Sequence, residues 1–144
     1  MKPRIHVITL AVDDLERALR FYRDGLGFAS ARVLGAQIAG DETHAAGAVV
    51  VIELERGPVL CLYPRSELAK DAGVPRSAPS RTELSIGHAV ESRAAVDALL
   101  AEAEAAGARV TDRPHERPWG IYSGYFEDPD GHLWEVLWNP ALTA

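Results

Sequence analysis

The sequence predicts an α+β chain of two βαβββ modules, and three observations carry that prediction. The order strand, helix, strand, strand, strand can be read twice along the chain. The first strand–helix junction, Val12-Asp13, has a counterpart at Val90-Glu91. The last two strands flank Asp128-Pro129-Asp130-Gly131, where Pro129 pre-sets φ and Gly131 tolerates the positive φ that closes a hairpin. A lone module of this kind leaves one face of its sheet uncovered, so two must share it.

Residues 5–12, Ile-His-Val-Ile-Thr-Leu-Ala-Val, read as a β-rich strand. Asp13 begins a helix, with Glu16 three residues later in a capping-box arrangement. Leu15, Ala18, Leu19, Tyr22 and Leu26 recur at helical spacing as its buried stripe, and Gly25 and Gly27 end it. Residues 28–34 form a short strand and 35–46 a loop rich in Gly and Ala, placed to act as a lid. Ala48–Leu54 is a nearly continuous β-branched strand. Arg56-Gly57-Pro58 then turns the chain into Val59–Tyr63, which pairs back. Residues 64–81 change character, with Pro64, Pro75 and Pro79, three serines and a helix-like piece at Ser66–Ala72. The predicted organisation is module 1 over 1–64, a linker over 65–81, module 2 over 82–140 and a tail over 141–144, with both modules forming one structural unit.

In the second half Glu83–Val90 is a strand and Ser92 an N-cap. Val96, Leu99, Leu100 and Ala103 make a helical stripe that Gly107 ends. Ala108–Thr111 is a strand, and a loop carrying His115 between Pro114 and Pro118 leads to the closing hairpin. In its final strand Trp134, Val136 and Trp138 share one face, placed as core against the second helix, and Leu133, Glu135 and Leu137 share the other. An acid between two leucines is the oddest placement in the sequence, because Glu is seldom buried unpaired.

A length of 144 residues suits one ordinary domain or two small modules sharing a core. Net charge is −6, and the fifteen Lys and Arg are scattered, which argues against a nucleic-acid surface. The single cysteine, Cys61, excludes an internal disulfide and fits a reducing cytoplasm. Met1-Lys2-Pro3-Arg4 leads into only a short apolar run, so no signal peptide is expected, and no stretch is long and apolar enough to predict a membrane-spanning helix.

The two βαβββ halves resemble the vicinal oxygen chelate superfamily, which includes glyoxalase I, extradiol dioxygenases, fosfomycin-resistance enzymes and bleomycin-binding proteins. The opening Val12-Asp13-Asp14-Leu15-Glu16-Arg17-Ala18-Leu19-Arg20-Phe21-Tyr22-Arg23-Asp24-Gly25-Leu26-Gly27 and the closing Asp128-Pro129-Asp130-Gly131-His132-Leu133-Trp134-Glu135 carry the likeness, which covers essentially the whole chain. The resemblance implies a cupped mixed β-sheet and a metal bound by ligands from the first and last strands of each module. It also implies a homodimer, with modules pairing within one chain or between two. Reaction is left open, because one fold hosts several chemistries and pure binders.

Carried over residue by residue, the closing ligand falls on Glu135. The module 1 histidine position falls on Val7, with His6 one residue early. The module 2 position falls on Ser85, with His88 three residues late, and the remaining position falls on or near Cys61. A one-residue slip reverses a side chain on a strand, so only a bulge would bring either histidine to the cavity. Glu135 with Cys61 is a poor donor set for Ni, Zn, Mn or Fe, so no metal cofactor is the favoured expectation. The alternative keeps a divalent metal on Glu135 with His6 or His88.

The expected cavity walls are Val7, Thr9, Val59, Cys61, Tyr63, Ser85, Glu135 and Leu137, with Trp119, Tyr122 and Ser123 near the mouth. That composition suits a small-molecule site. Cys61 reads as a small buried hydrophobe, and His44, His115 and His132 as solvated surface residues. Three readings follow. The favoured one is a metal-free binder of a small, largely apolar or aromatic molecule; the others are a metal-dependent lyase, isomerase or dioxygenase, and a metal-free enzyme with Glu135 as general acid or base.

Overall fold

A computed structural model describes residues 2–80 and 84–141. The chain divides into two units, Met1–Ala78 and Pro79–Ala144, each with its own four-stranded mixed sheet.

The first unit runs β1 (Val7–Val12), α1 (Leu15–Leu19), β2 (Arg32–Leu34), β3 (Val49–Glu53), β4 (Val59–Pro64) and α2 (Arg65–Ala72). Its strands lie in the order β1-β4-β3-β2, with β1 parallel to β4 and the other pairs antiparallel. Alternation decides which side chains are buried. Leu10, Val12, Val50, Ile52, Leu60 and Leu62 are buried, while Val7, Thr9, Val51, Val59 and Cys61 between them are exposed or half-buried on the opposite, open face. Ala18, Leu19, Phe21 and Tyr22 fill the helix side, with the Phe21 and Tyr22 rings edge to face at 5.1 Å between centroids.

The helix starts one residue later than the capping-box reading placed it. Asp14 is the N-cap, its carboxylate accepting from the Arg17 backbone N–H at 2.9 Å. Asp13 instead takes the Arg65 guanidinium at 2.9 Å, and that partner holds its carboxyl below the usual range. Beyond Leu19 the helix widens into a looser turn, Arg20–Gly25, and it is Gly27, at φ 72°, that takes the left-handed conformation. Of the residues 28–34 expected as strand, only Arg32–Leu34 pair. Residues 65–72, read as part of a linker, form α2 and pack on β4 and β1.

The second unit runs β5 (Ser85–Ala89), α3 (Arg93–Ala105), β6 (Arg109–Glu116), β7 (Tyr122–Glu127) and β8 (Leu133–Trp138), ordered β5-β8-β7-β6. Glu83, expected to open β5, lies outside the described residues, as do Leu142–Ala144 of the tail. Ser92 caps α3 by accepting from the Ala95 N–H at 3.1 Å. Val96, Leu100 and Ala103 are buried beneath that helix, and Phe126 stacks on Trp134 at 6.0 Å. The Arg93 guanidinium lies 4.2 Å from the Trp138 ring centroid, so the half-buried Trp138 closes the core edge by a cation–π contact.

β6 corrects the sequence reading. It continues past Thr111 to Glu116 and so includes Pro114 and His115, which were expected in a loop. Proline is tolerated because β6 is an edge strand and its register against β7 shifts between Asp112 and His115. The closing turn forms as its residues dictate, with Gly131 at φ 87°. The buried Asp128 carboxylate accepts from the Asp130 and His132 N–H groups and meets His132 Nδ1 at 2.7 Å. His132 is therefore a half-buried turn residue rather than a solvated one.

Candidate functional site

Hairpin register positions the acidic side chain. Trp134 and Val136 of β8 are buried, which turns Leu133, Glu135 and Leu137 to the open face, where they are half-buried. Directly paired residues share a face, and Glu135 pairs with Gly87 of β5 on one side and Tyr125 of β7 on the other. Ser85 and Ser123 belong to the same face, opposite Leu133 and Leu137 respectively.

Gly87 presents no side chain to Glu135. A Cβ built there would touch only Leu137 Cδ2, at 3.5 Å, an ordinary contact. On the other flank Tyr125 is the cross-strand neighbour of Glu135. Burial first, and then the neighbouring Glu135 carboxylate, raise Tyr125 above the usual phenol range. Arg117 packs on Tyr125, its guanidinium 5.4 Å from the ring centroid. The same guanidinium donates to Asp112 and, at 3.1 Å, to the hydroxyl of the fully buried Ser123. Asp112 also meets His115 Nε2 at 3.2 Å, and the Arg117 hydrogen bond leads the effects that hold its carboxyl below the ordinary range.

Tyr125, Arg117, Asp112 and His115 were not singled out as site residues from the sequence. Tyr125 was legible: the alternation used for β8, carried across the turn, sets it beside Glu135. The others depend on the irregular β6 register, which no pattern announces.

Tyr122 falls on the other side of the sheet. Its hydroxyl donates to Asp97 of α3 at 2.9 Å and its ring lies 5.9 Å from Arg93. The backbone of Trp119 lies in the tight turn Pro118–Gly120, and its side chain lies outside the described residues.

The remaining expected site residues occupy the open face of the first unit. Val7 pairs with Val59, Thr9 with Cys61 and Ala11 with Tyr63. Burial pushes the Cys61 thiol up, opposed by a hydrogen bond with Thr9. Tyr63 is already committed, its hydroxyl donating to the Ala46 carbonyl at 2.7 Å. That bond joins others fixing the 35–46 loop and its exit: Glu67 accepts from the Ala46 N–H and Lys70 donates to the Asp41 carbonyl, each at 2.7 Å. His44 is part of this loop, packed against the Asp41 carboxylate at 3.0 Å.

The residues at the implied metal positions do not fit a divalent cation. Val7 has no donor and Ser85 offers only a hydroxyl, which leaves Glu135 and the thiol of Cys61. His88 pairs with Val136, so it sits on the face opposite Glu135 and cannot share an ion with it. His6 precedes β1, is exposed, and contributes its carbonyl to the Val59 N–H at 2.8 Å. Among the described residues, no group of three or more His, Cys, Asp and Glu could hold a metal ion. No helix among them is long and apolar enough to cross a membrane.

Comparison with known proteins agrees with this architecture. The family model of the Glyoxalase/Bleomycin resistance protein/Dioxygenase superfamily matches residues 4–136. A glyoxalase-related enzyme from Fulvimarina pelagi is 29% identical, with a TM-score of 0.77 over 96% of this chain and 89% of that one. The lactoylglutathione lyase from Agrobacterium tumefaciens is 26% identical, with a TM-score of 0.64 over 99% of this chain and 97% of that one. A glyoxalase/bleomycin resistance protein/dioxygenase from Nocardioides shares the fold at 24% identity, with a TM-score of 0.70 over 96% of this chain and 84% of that one. A search of curated proteins gives no match. The two βαβββ units, their strand order and the match over residues 4–136 make this chain a member of the Glyoxalase/Bleomycin resistance protein/Dioxygenase superfamily.

Proposed function

We propose that this chain binds a small, largely apolar or aromatic molecule on the open sheet face around Glu135, without the metal used elsewhere in the superfamily. The observation that carries this reading is the setting of Glu135, which lies between a bare glycine and a tyrosine, with leucines along its own strand and no second metal donor on that face from β5 or β8. Leu133 and Leu137 supply apolar contact, Ser85 a hydroxyl, and the Gly87 backbone leaves room for a ligand to lie flat against the sheet. On the first unit's own open face, Val7, Thr9, Cys61 and Tyr63 are proposed as ligand-facing residues; in the second unit, Trp119 and Ser123 flank the entry to the closing hairpin.

The paired Tyr125 and Glu135 also favour a second reading, a metal-free enzyme. A carboxylate set beside a phenol is equipped to take and return a proton from a bound substrate. Resemblance to a lactoylglutathione lyase supports a metal-dependent lyase, and the donor set argues against it. The family likeness further supports a homodimer, and the lone thiol a reducing cytoplasm.

A thermal-shift screen of apolar and aromatic compounds in metal-free buffer tests the reading. Compounds that stabilise the wild type are expected to lose that effect on Gly87→Val, which fills the space beside Glu135. Stabilisation unchanged in Gly87→Val and in Glu135→Gln would place binding elsewhere.

A further inference from the structure

Among the described residues, no ion pair joins the Glu135 carboxylate to a basic side chain. Its cross-strand neighbour on the open face is the phenol of Tyr125. Of the guanidiniums on that face, Arg117 packs on the Tyr125 ring and is spent on Asp112 and Ser123, and Arg109 is paired with Glu127. His115 is likewise turned to Asp112. Among the described residues, the second unit's open face therefore holds the matched pairs Arg117 with Asp112 and Arg109 with Glu127, and one carboxylate, Glu135, that no ion pair joins to a basic side chain. A half-buried carboxylate is costly to desolvate unless a cation completes it, and a ligand covering the Gly87 gap would desolvate it further. A carboxylate offers about four lone-pair directions, of which a single neighbouring phenol can fill only one.

We propose that the group recognised by Glu135 is a cationic nitrogen, a primary or secondary ammonium carried on a flat apolar body that lies over Gly87 and Leu137. This rests on the binding reading above and narrows it to a chemical class. An ammonium supplies the missing charge and donates to carboxylate oxygens left open by Tyr125. A neutral alcohol of the same shape supplies only a weaker hydrogen bond. A carboxylate ligand would meet Glu135 as a like charge. The chain's net charge of −6 draws cations toward the protein as a whole and does not by itself select this face.

The test uses a matched panel of arylalkylamines, beginning with 2-phenylethylamine and 2-phenylethanol, measured by calorimetry on the full chain. The amine of each binding pair is expected to bind about tenfold tighter than its alcohol, since hydrogen bonds to charged groups are the stronger ones. Raising ionic strength to about 0.5 M should shrink the gap. Glu135→Gln, which keeps the shape, should abolish it, with circular dichroism and the melting temperature confirming that the variant folds. Alcohols binding as well as amines, or an amine preference that survives in Glu135→Gln, would overturn this proposal while leaving the binding reading standing. Failure of every amine and every alcohol to bind would overturn both.

Discussion

Gly87 lies directly opposite Glu135 in the parallel pairing of β5 with β8, so the acid has a side-chain neighbour across the sheet only on its Tyr125 flank. A Cβ at position 87 meets nothing closer than Leu137 Cδ2 at 3.5 Å. Gly87→Val is therefore expected to fold normally and gain slightly in stability, because a β-branched residue suits a strand better than glycine does. Urea denaturation should show a midpoint unchanged or raised. A loss of more than about 1 kcal/mol would mean that this face is already filled.

Arg117 ties three groups of the second unit together, and its replacement tests whether they form one network. Arg117→Met removes the donors to Asp112 and Ser123 and is expected to cost about 1–3 kcal/mol, since Ser123 is fully buried and left without that partner. Arg117→Lys should not restore the loss, because one ammonium cannot reproduce the guanidinium fork. Chemical denaturation of both variants measures this directly.

The pH dependence follows from the same pair. Asp112 is held below the usual carboxylate range, first by the Arg117 hydrogen bond, so its contribution is present above the unfolded carboxylate range and fades as pH falls through the lowered value. Wild type is expected to lose stability on acidification below about pH 4, and Asp112→Asn to lose less over that window. Tyr125 has the opposite sense. Its folded value is raised, so its contribution is whole below about pH 10 and is lost as pH climbs beyond. Melting temperatures across both windows, for wild type, Asp112→Asn and Tyr125→Phe, check the signs.

The loop beginning at Gly35 depends on two glycines in contact. Gly35 sits at φ +69°, and a Cβ there would clash with the Gly47 carbonyl oxygen. Gly35→Ala is expected to destabilise the first unit by about 1–3 kcal/mol or to release the loop from Tyr63, Glu67 and Lys70. Hydrogen exchange at the Ala46 amide, bonded to Glu67 in the wild type, would report that release.

Local chemistry made much of the fold legible. Ser92 caps its helix, Gly131 closes its turn, and Val96, Leu100 and Ala103 of the expected stripe are buried while Leu99 is half-buried. Alternation placed Glu135 and Val7 away from the buried faces of their strands, because a period of two needs no tertiary knowledge. Non-local information was harder to read. Pro114 looks like a strand breaker, and only its position on an edge strand beside a register shift lets β6 continue to Glu116. The Arg117–Asp112 contact depends on that irregularity, so half of the candidate site was out of reach. The one-residue error at Asp13 has a similar origin, since Arg65, fifty-two residues away, claims that carboxylate and leaves Asp14 to cap.

On the proposed reading, Glu135 serves this face without a metal. Elemental analysis of protein purified without chelator, followed by titration of wild type and Glu135→Ala with Ni, Zn, Mn and Fe(II), tests it most directly. No near-stoichiometric metal is expected in the purified protein, and no difference in metal uptake between the two proteins. About one equivalent of metal in the wild type, lost in Glu135→Ala, would contradict it and return the chain to metal-dependent chemistry.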